Sequence, residues 1–167
     1  MGINIKKISP AYLILILLLI FAIGFLLLIK NDKRKKSEAL AAKPILINLL
    51  TSVHPNLQWN FQPINSKITV SPGEVSTIEY MVENFGNTET TGIATFSYYP
   101  RDFGNYISKI NCFCYDAQTL DPKQKSKYTL IFLIDPEVTK DSKTKSIKEV
   151  TIQFTFFDYK EYKANKN

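Results

Sequence analysis

Hydrophobic and polar residues follow two different patterns along this chain. Residues 11–29 form an unbroken run with no charged side chain. At about 1.5 Å per residue such a run, read as helix, spans ~28 Å, close to the hydrocarbon thickness of a bilayer. Tyr12 stands at one edge, where an amphipathic ring is favoured. A cleaved signal peptide usually has an apolar region of only ~7–15 residues. The one Ala-x-Ala, at residues 39–41, lies beyond a charged stretch. The run therefore predicts an uncleaved, single-pass transmembrane helix.

From Leu57 onward the period is two. Ile78, Tyr80 and Val82 alternate with Thr77, Glu79 and Glu83, the pattern of a half-buried strand. Val150, Ile152, Phe154 and Phe156 face one way, and Thr151, Gln153 and Thr155 the other. Residues 58–61, 67–70, 91–99, 106–115 and 127–134 continue the series, with turn signals such as Pro72-Gly73 and residues 84–87 between them. Seven short strands predict an all-β, immunoglobulin-like antiparallel β-sandwich. Trp59 and most of the Phe and Tyr residues belong to its core.

The predicted plan is a short N-terminal tail at 1–10, the helix at 11–29, and a charged linker with a short apolar segment at 30–56. The sandwich follows at 57–160, then a C-terminal tail at 161–167. Residues 44–53 read as a short helix or an edge strand, too short to span a bilayer. His54, the only histidine, has no acidic or thiol neighbour in sequence and reads as an exposed loop residue. Residues 138–148 read as a polar, Lys-rich hairpin tip. At 167 residues the chain has room for an anchor and one ordinary domain.

Charge adds little beyond the membrane flanks. The net charge is +6. Residues 1–36 hold seven Lys/Arg and one Asp, and the remainder is balanced. The basic excess gives no argument for nucleic acid, and no nucleic-acid-binding motif is present. Neither a phosphate-binding Gly-rich loop nor a nucleophile–base constellation is found, and no catalytic turnover is expected.

The candidate chemistry sits in Ile110-Asn-Cys-Phe-Cys-Tyr115, which holds the only two cysteines, Cys112 and Cys114. In a flat strand residues i and i+2 share a face about 6.6 Å apart. A disulfide prefers Cα atoms about 5.5–6 Å apart, so a flat strand strains a Cys112–Cys114 bridge. Two thiolates on one metal face a similar limit, with sulfurs at most about 4.6 Å apart if each bond is about 2.3 Å. Such a pair needs a bulge or bend, or sulfurs from a second protomer. Soft thiolates without His or carboxylate neighbours favour Cu(I) over harder ions. Phe113 and Tyr115 would then shield the site. The spacing alone equally fits two small buried side chains or a redox pair.

The surroundings narrow the choice. Tyr106-Ile-Ser-Lys-Ile-Asn-Cys-Phe-Cys-Tyr-Asp-Ala-Gln-Thr-Leu-Asp-Pro122 resembles the signature of the CtaG-type cytochrome c oxidase assembly proteins, membrane-anchored copper chaperones. Three further blocks are similar in order: Leu57-Gln-Trp-Asn-Phe-Gln-Pro63 with Pro72-Gly-Glu74, Thr91-Gly-Ile-Ala-Thr95 with Pro100 and Gly104, and Phe132-Leu-Ile-Asp-Pro136 with Val150-Thr-Ile-Gln-Phe-Thr-Phe-Phe157. The likeness covers roughly residues 57–157. The chain departs from the family in lacking the third cysteine that usually follows the membrane segment. It also has Lys123-Gln124 where the family has Gly-Glu, and Tyr128 where it has Met.

The resemblance implies Cu(I) bound through Cys112 and Cys114 and delivered to the haem–copper centre of cytochrome c oxidase subunit I. It implies a thiol reductant or copper donor protein as a further partner, and a homodimer. Lys109, Phe113, Tyr115 and Gln118 match the motif and are expected to shape the site. Two rivals stand beside this expectation: an exported thiol-redox protein, since an oxidising compartment closes thiols, and a docking module that has lost copper binding. The location implied is the bacterial inner membrane with the sandwich in the periplasm. The flanking charges oppose this. Lys6 and Lys7 precede the helix, whereas Lys30, Lys33, Arg34, Lys35 and Lys36 follow it, which alone would place the sandwich in the cytoplasm.

These opposed signals make topology testable. A reporter active only after export, fused at the C-terminus, is expected to be active. A reporter active only in the cytoplasm lighting up instead would overturn the expected orientation.

Overall fold

A computed structural model describes residues 10–41 and 43–165. Most of the tail expected at 1–10, and Lys166 and Asn167, lie outside the described residues. The chain forms two compact units that divide after Glu38. The first is built on helix α1 (Pro10–Ala41), which contains the window Ile14–Asn31, long and apolar enough to cross a membrane. Its side chains in that window are exposed, as a lipid-facing helix requires. The helical backbone continues through most of the charged linker.

The second unit is the expected sandwich. Its strands are β1 (Ile45–Val53), β2 (Trp59–Pro63), β3 (Lys67–Val70), β4 (Val75–Asn84), β5 (Thr90–Tyr99), β6 (Ile107–Cys112), β7 (Gln118–Leu120), β8 (Lys125–Ile134) and β9 (Glu149–Asp158). One sheet has the order β3-β1-β9-β5-β7, the other β2-β4-β8-β6. Every pairing is antiparallel except that of β1 with β9.

Nine strands replace the seven expected. The first addition is β1, which is neither helix nor edge. It lies between β3 and β9, with Leu46 to Val53 in parallel register with Glu149 to Phe156. Ile45, Ile47 and Leu49 occupy successive inward positions and are buried. The sandwich therefore begins before Leu57. Because β1 pairs in parallel with a strand a hundred residues away, no local turn signal marks it. The second addition, β7, is only three residues long and pairs with Thr90, Thr91 and Gly92.

Two loops also differ from expectation. The segment between β8 and β9 is not a hairpin tip, because these strands belong to different sheets. It crosses between them, plugged by buried Val138 and Thr144, with the Tyr106 hydroxyl donating to Asp141 Oδ2 at 2.5 Å. Residues 161–164 belong to a short helix, α2 (Tyr159–Ala164), because the Asp158 carboxylate accepts from the amides of Lys160 and Glu161. His54 is half-buried, its ring 5.8 Å from that of Phe157.

The core is aromatic. Phe156 is fully buried between the sheets, its ring centroid 4.9 Å from Phe61 and 5.0 Å from Trp59. Trp59 is buried as expected, and its indole N–H donates to Thr90 Oγ1 at 2.8 Å. Asn84, the one fully buried amide among the described residues, donates to the carbonyls of Thr88, Leu120 and Asp121 and accepts from the Gly86 amide. It thereby ties the end of β4 to the end of β7.

Phe156→Ala removes a ring that touches both sheets. It is expected to destabilise the sandwich by about 3–5 kcal/mol, read as a lowered midpoint of the β-sheet circular-dichroism transition.

Candidate functional site

The two cysteines lie where the chain leaves one sheet for the other. β6 is an edge strand of the four-stranded sheet, and β7 is an edge strand of the five-stranded sheet. Residues 113–117 turn the corner between them. Cys112 is the last residue of β6, and Phe113–Tyr115 form a single 3-10 turn.

A bulge sets which way Cys112 faces. Along β6, Ile107, Ser108 and Lys109 pair with Ile134, Leu133 and Phe132; then Asn111 pairs with Ile131 and Cys112 with Leu130. Ile110 is the extra residue, and it is 57% exposed. One inserted residue reverses the alternation of faces. Without it Cys112 would point to solvent; with it Cys112 lies opposite buried Leu130 and is only 4% exposed. The pair thus sits at both a strand end and the end of a bulged segment.

The 3-10 turn then brings the second cysteine back. The Cα atoms of Cys112 and Cys114 are 5.0 Å apart, shorter than the ~6.6 Å of a flat strand and inside the range a disulfide accepts. The two sulfurs are joined as a disulfide. The backbone N–H of Cys114 donates to Cys112 Sγ at 3.2 Å, so the cysteine side chain caps the turn that follows it. Cys114 itself is half-buried.

Phe113 holds the turn from below. Its ring lies 4.9 Å from Phe154, 5.3 Å from Tyr128, 5.4 Å from Tyr80 and 5.8 Å from Phe61. Phe113, expected to help shape and shield the site, is a core residue that anchors the corner. Burial of the same cluster pushes the Tyr128 phenol up to about 12 and raises that of Tyr80 as well.

The remaining motif residues surround the turn. Gln118 Nε2 donates to the carbonyls of Phe113 at 3.0 Å and Asp116 at 3.2 Å, closing the corner. Tyr115 is 54% exposed, and its hydroxyl donates to the Lys109 carbonyl at 2.9 Å. Lys109 shares the inward phase of Phe132, but at the sheet edge its ammonium lies 2.8 Å from the ring centroid of Phe96 on the opposite sheet. Partial burial lowers the pKa of that ammonium. The Tyr98 phenol is pushed up to about 12, first by burial and then by Tyr115.

All six motif residues therefore converge on one corner. Sequence reasoning missed Phe96 and Ile110. The only signal for Ile110 was an apolar residue in the wrong phase between Ile107 and Cys112.

As a donor set, the corner offers two sulfurs. Among the described residues no group of three or more His, Cys, Asp or Glu side chains is placed to hold a metal ion. Once the bridge is reduced, two thiolates are soft donors, the ligand type that soft ions favour.

Comparison with known proteins bears on this corner. The family described as cytochrome c oxidase assembly protein CtaG/Cox11 matches residues 19–158. The chain is 36% identical over 125 residues to cytochrome c oxidase assembly protein CtaG of Nitrobacter hamburgensis, covering 75% of this chain and 58% of that protein. It is 34% identical over 131 residues to the human mitochondrial cytochrome c oxidase assembly protein COX11, covering 78% of this chain and 48% of the relative. With CtaG of Ehrlichia ruminantium (strain Gardel) the identity is 38% over 117 residues, 70% of this chain and 66% of the relative. The chain thus spans only about half to two thirds of these relatives.

The corner's hydrogen bonds predict the effect of Gln118→Ala. It leaves the carbonyls of Phe113 and Asp116 without this partner and is expected to cost about 1 kcal/mol. Hydrogen exchange at the Cys114 amide is expected to quicken, while amides in β4 and β9 keep their protection.

Proposed function

Because the chain belongs to the CtaG/Cox11 family of cytochrome c oxidase assembly proteins, we propose that it is a membrane-anchored copper carrier for oxidase assembly. In this reading the reduced pair Cys112 and Cys114 binds Cu(I) as cargo. The copper is then handed to the haem–copper centre of oxidase subunit I. The helix α1 tethers the sandwich at the outer face of the bacterial inner membrane, within reach of a membrane-embedded client. No chemistry is performed on the copper beyond exchange of ligands, so the protein acts as a carrier rather than an enzyme.

The observation that carries this is the corner itself. A bulge, a 3-10 turn and a buried Phe113 hold two sulfurs together at the open edge of a sandwich. A purely structural pair needs no partly exposed member. Cargo transfer does, because the receiving ligands must reach the ion. Ile110 and Tyr115, both more than half exposed, form an apolar rim beside the pair. A second copy of the chain covering that rim would exclude water and add its own thiolates. We therefore propose that loading favours a homodimer, as any ligand that prefers the dimer must.

The test is copper counted per protomer in the full chain, reduced and held in detergent. Wild-type protein is expected to retain Cu(I), and Cys112→Ser and Cys114→Ser each to lose it, since each variant halves the thiolate donors, in one protomer or in a site shared by two. His54→Ala is expected to leave copper content unchanged. Sedimentation with and without Cu(I) reads the dimer. Unaltered copper content in the double Cys→Ser variant would overturn the carrier reading. Tight binding by a strict monomer would overturn only the shared site.

A further inference from the structure

The two cysteines joined at the corner are not equivalent. Cys112 is 4% exposed and lies in register with buried Leu130, within the core. Cys114 is only half-buried, packed against the edge of the core and followed by exposed Tyr115. The Cys114 amide donates to Cys112 Sγ and not to its own sulfur. Thiol–disulfide exchange requires a thiolate to reach one sulfur while the other departs. Access and hydrogen bonding therefore assign different parts to the two residues.

We propose that an external dithiol protein of the Cys-x-x-Cys type opens the bridge by attacking Cys114, with Cys112 as the departing sulfur. This rests on the carrier reading for its purpose, since the pair must be reduced before it can take Cu(I). The attacking thiolate forms a new S–S bond to Cys114 Sγ. The Cys112–Cys114 bond breaks, and its electron pair leaves on Cys112 Sγ, where the Cys114 N–H already points at the developing charge. The second thiol of the reductant then attacks the reductant's own sulfur in the mixed disulfide and releases Cys114. The dithiol is oxidised to a disulfide, and Cys112 and Cys114 are together reduced by two electrons. Protons from the dithiol go to the two cysteines or to solvent.

A dithiol completes the reduction in one encounter. A single monothiol equivalent would leave Cys114 capped, removing one of the two copper donors until a second equivalent arrived. The less buried cysteine is thus the point of entry for electrons. The buried one, held by the core through Leu130 and the turn amide, is the first to be freed. Reduction of this bridge precedes copper loading in the order of steps.

The experiment uses the full oxidised chain in detergent and a thioredoxin-type protein whose second active-site cysteine is replaced by serine. Mixing is stopped with acid at a series of early times. Free thiols are then labelled, and the adduct is located by fragmentation between the two cysteines. Extrapolated to zero time, the reductant is expected on Cys114 at least tenfold more than on Cys112, with the label on Cys112. Equal occupancy, preference for Cys112, or no adduct would each overturn the proposal. As an independent measure, Cys114 in Cys112→Ser is expected to be alkylated by iodoacetamide at least tenfold faster than Cys112 in Cys114→Ser. Both should react alike once denatured. Equal native rates would also overturn it. Failure of chemically reduced wild-type chain to bind Cu(I) would instead overturn the carrier reading and leave the exchange site standing.

Discussion

The packing of one ring, Phe113, is the constraint on which the functional corner depends. It enters an aromatic cluster drawn from both sheets, with Phe61, Tyr80 and Tyr128 from one and Phe154 and Phe156 from the other. Burying an aromatic side chain of this size contributes roughly 1.5–3 kcal/mol, before any gain from ring geometry. Cys112 and Cys114 flank a residue that must point inward, and their own positions follow from that demand. The motif Cys-Phe-Cys is thus a core anchor with a sulfur on each side.

The bulge at Ile110 and the 3-10 turn convert that anchor into a site. The bulge inverts the phase of β6 so that Cys112 faces inward, and the turn shortens the Cα separation to 5.0 Å. Edge strands with bulges are poor templates for further strand pairing. The open edge of β6 therefore stays exposed without inviting a neighbouring sheet. Gln118, the first residue of β7, closes the turn's carbonyls, and Lys109 bridges the open edge by lying over Phe96. Each of these contacts joins the two sheets at the corner or fixes the turn that does so.

The same construction accounts for the asymmetry of the sulfurs. The core encloses Cys112 and leaves Cys114 half-buried at its edge, a consequence of placing two cysteines across a corner rather than along a strand. A thiol pair in a regular ladder would be buried together or exposed together, since i and i+2 share a face. The corner instead offers one buried and one half-buried cysteine, the difference on which the proposed order of reduction and loading rests.

Much of this was legible in the sequence, and the limit has a physical cause. Alternation at Ile78, Tyr80 and Val82 and along residues 150–156 fixed strands and inward faces, because a half-buried strand must repeat every two residues. The charge-free run at 11–29 announced a membrane-length helix, and the blocks around Cys112 and Cys114 carried the family. The strand at Ile45–Val53 was ambiguous because its parallel partner β9 lies far along the chain. The corner was out of reach for the same reason. That Phe113 goes inward and Tyr115 outward, that Ile110 is the extra residue, and that Lys109 crosses to Phe96 depend on which strands become neighbours across the sandwich. Local pattern determines which residues seek burial; only the pairing of distant strands decides where burial is available, and so which of the two sulfurs is left within reach.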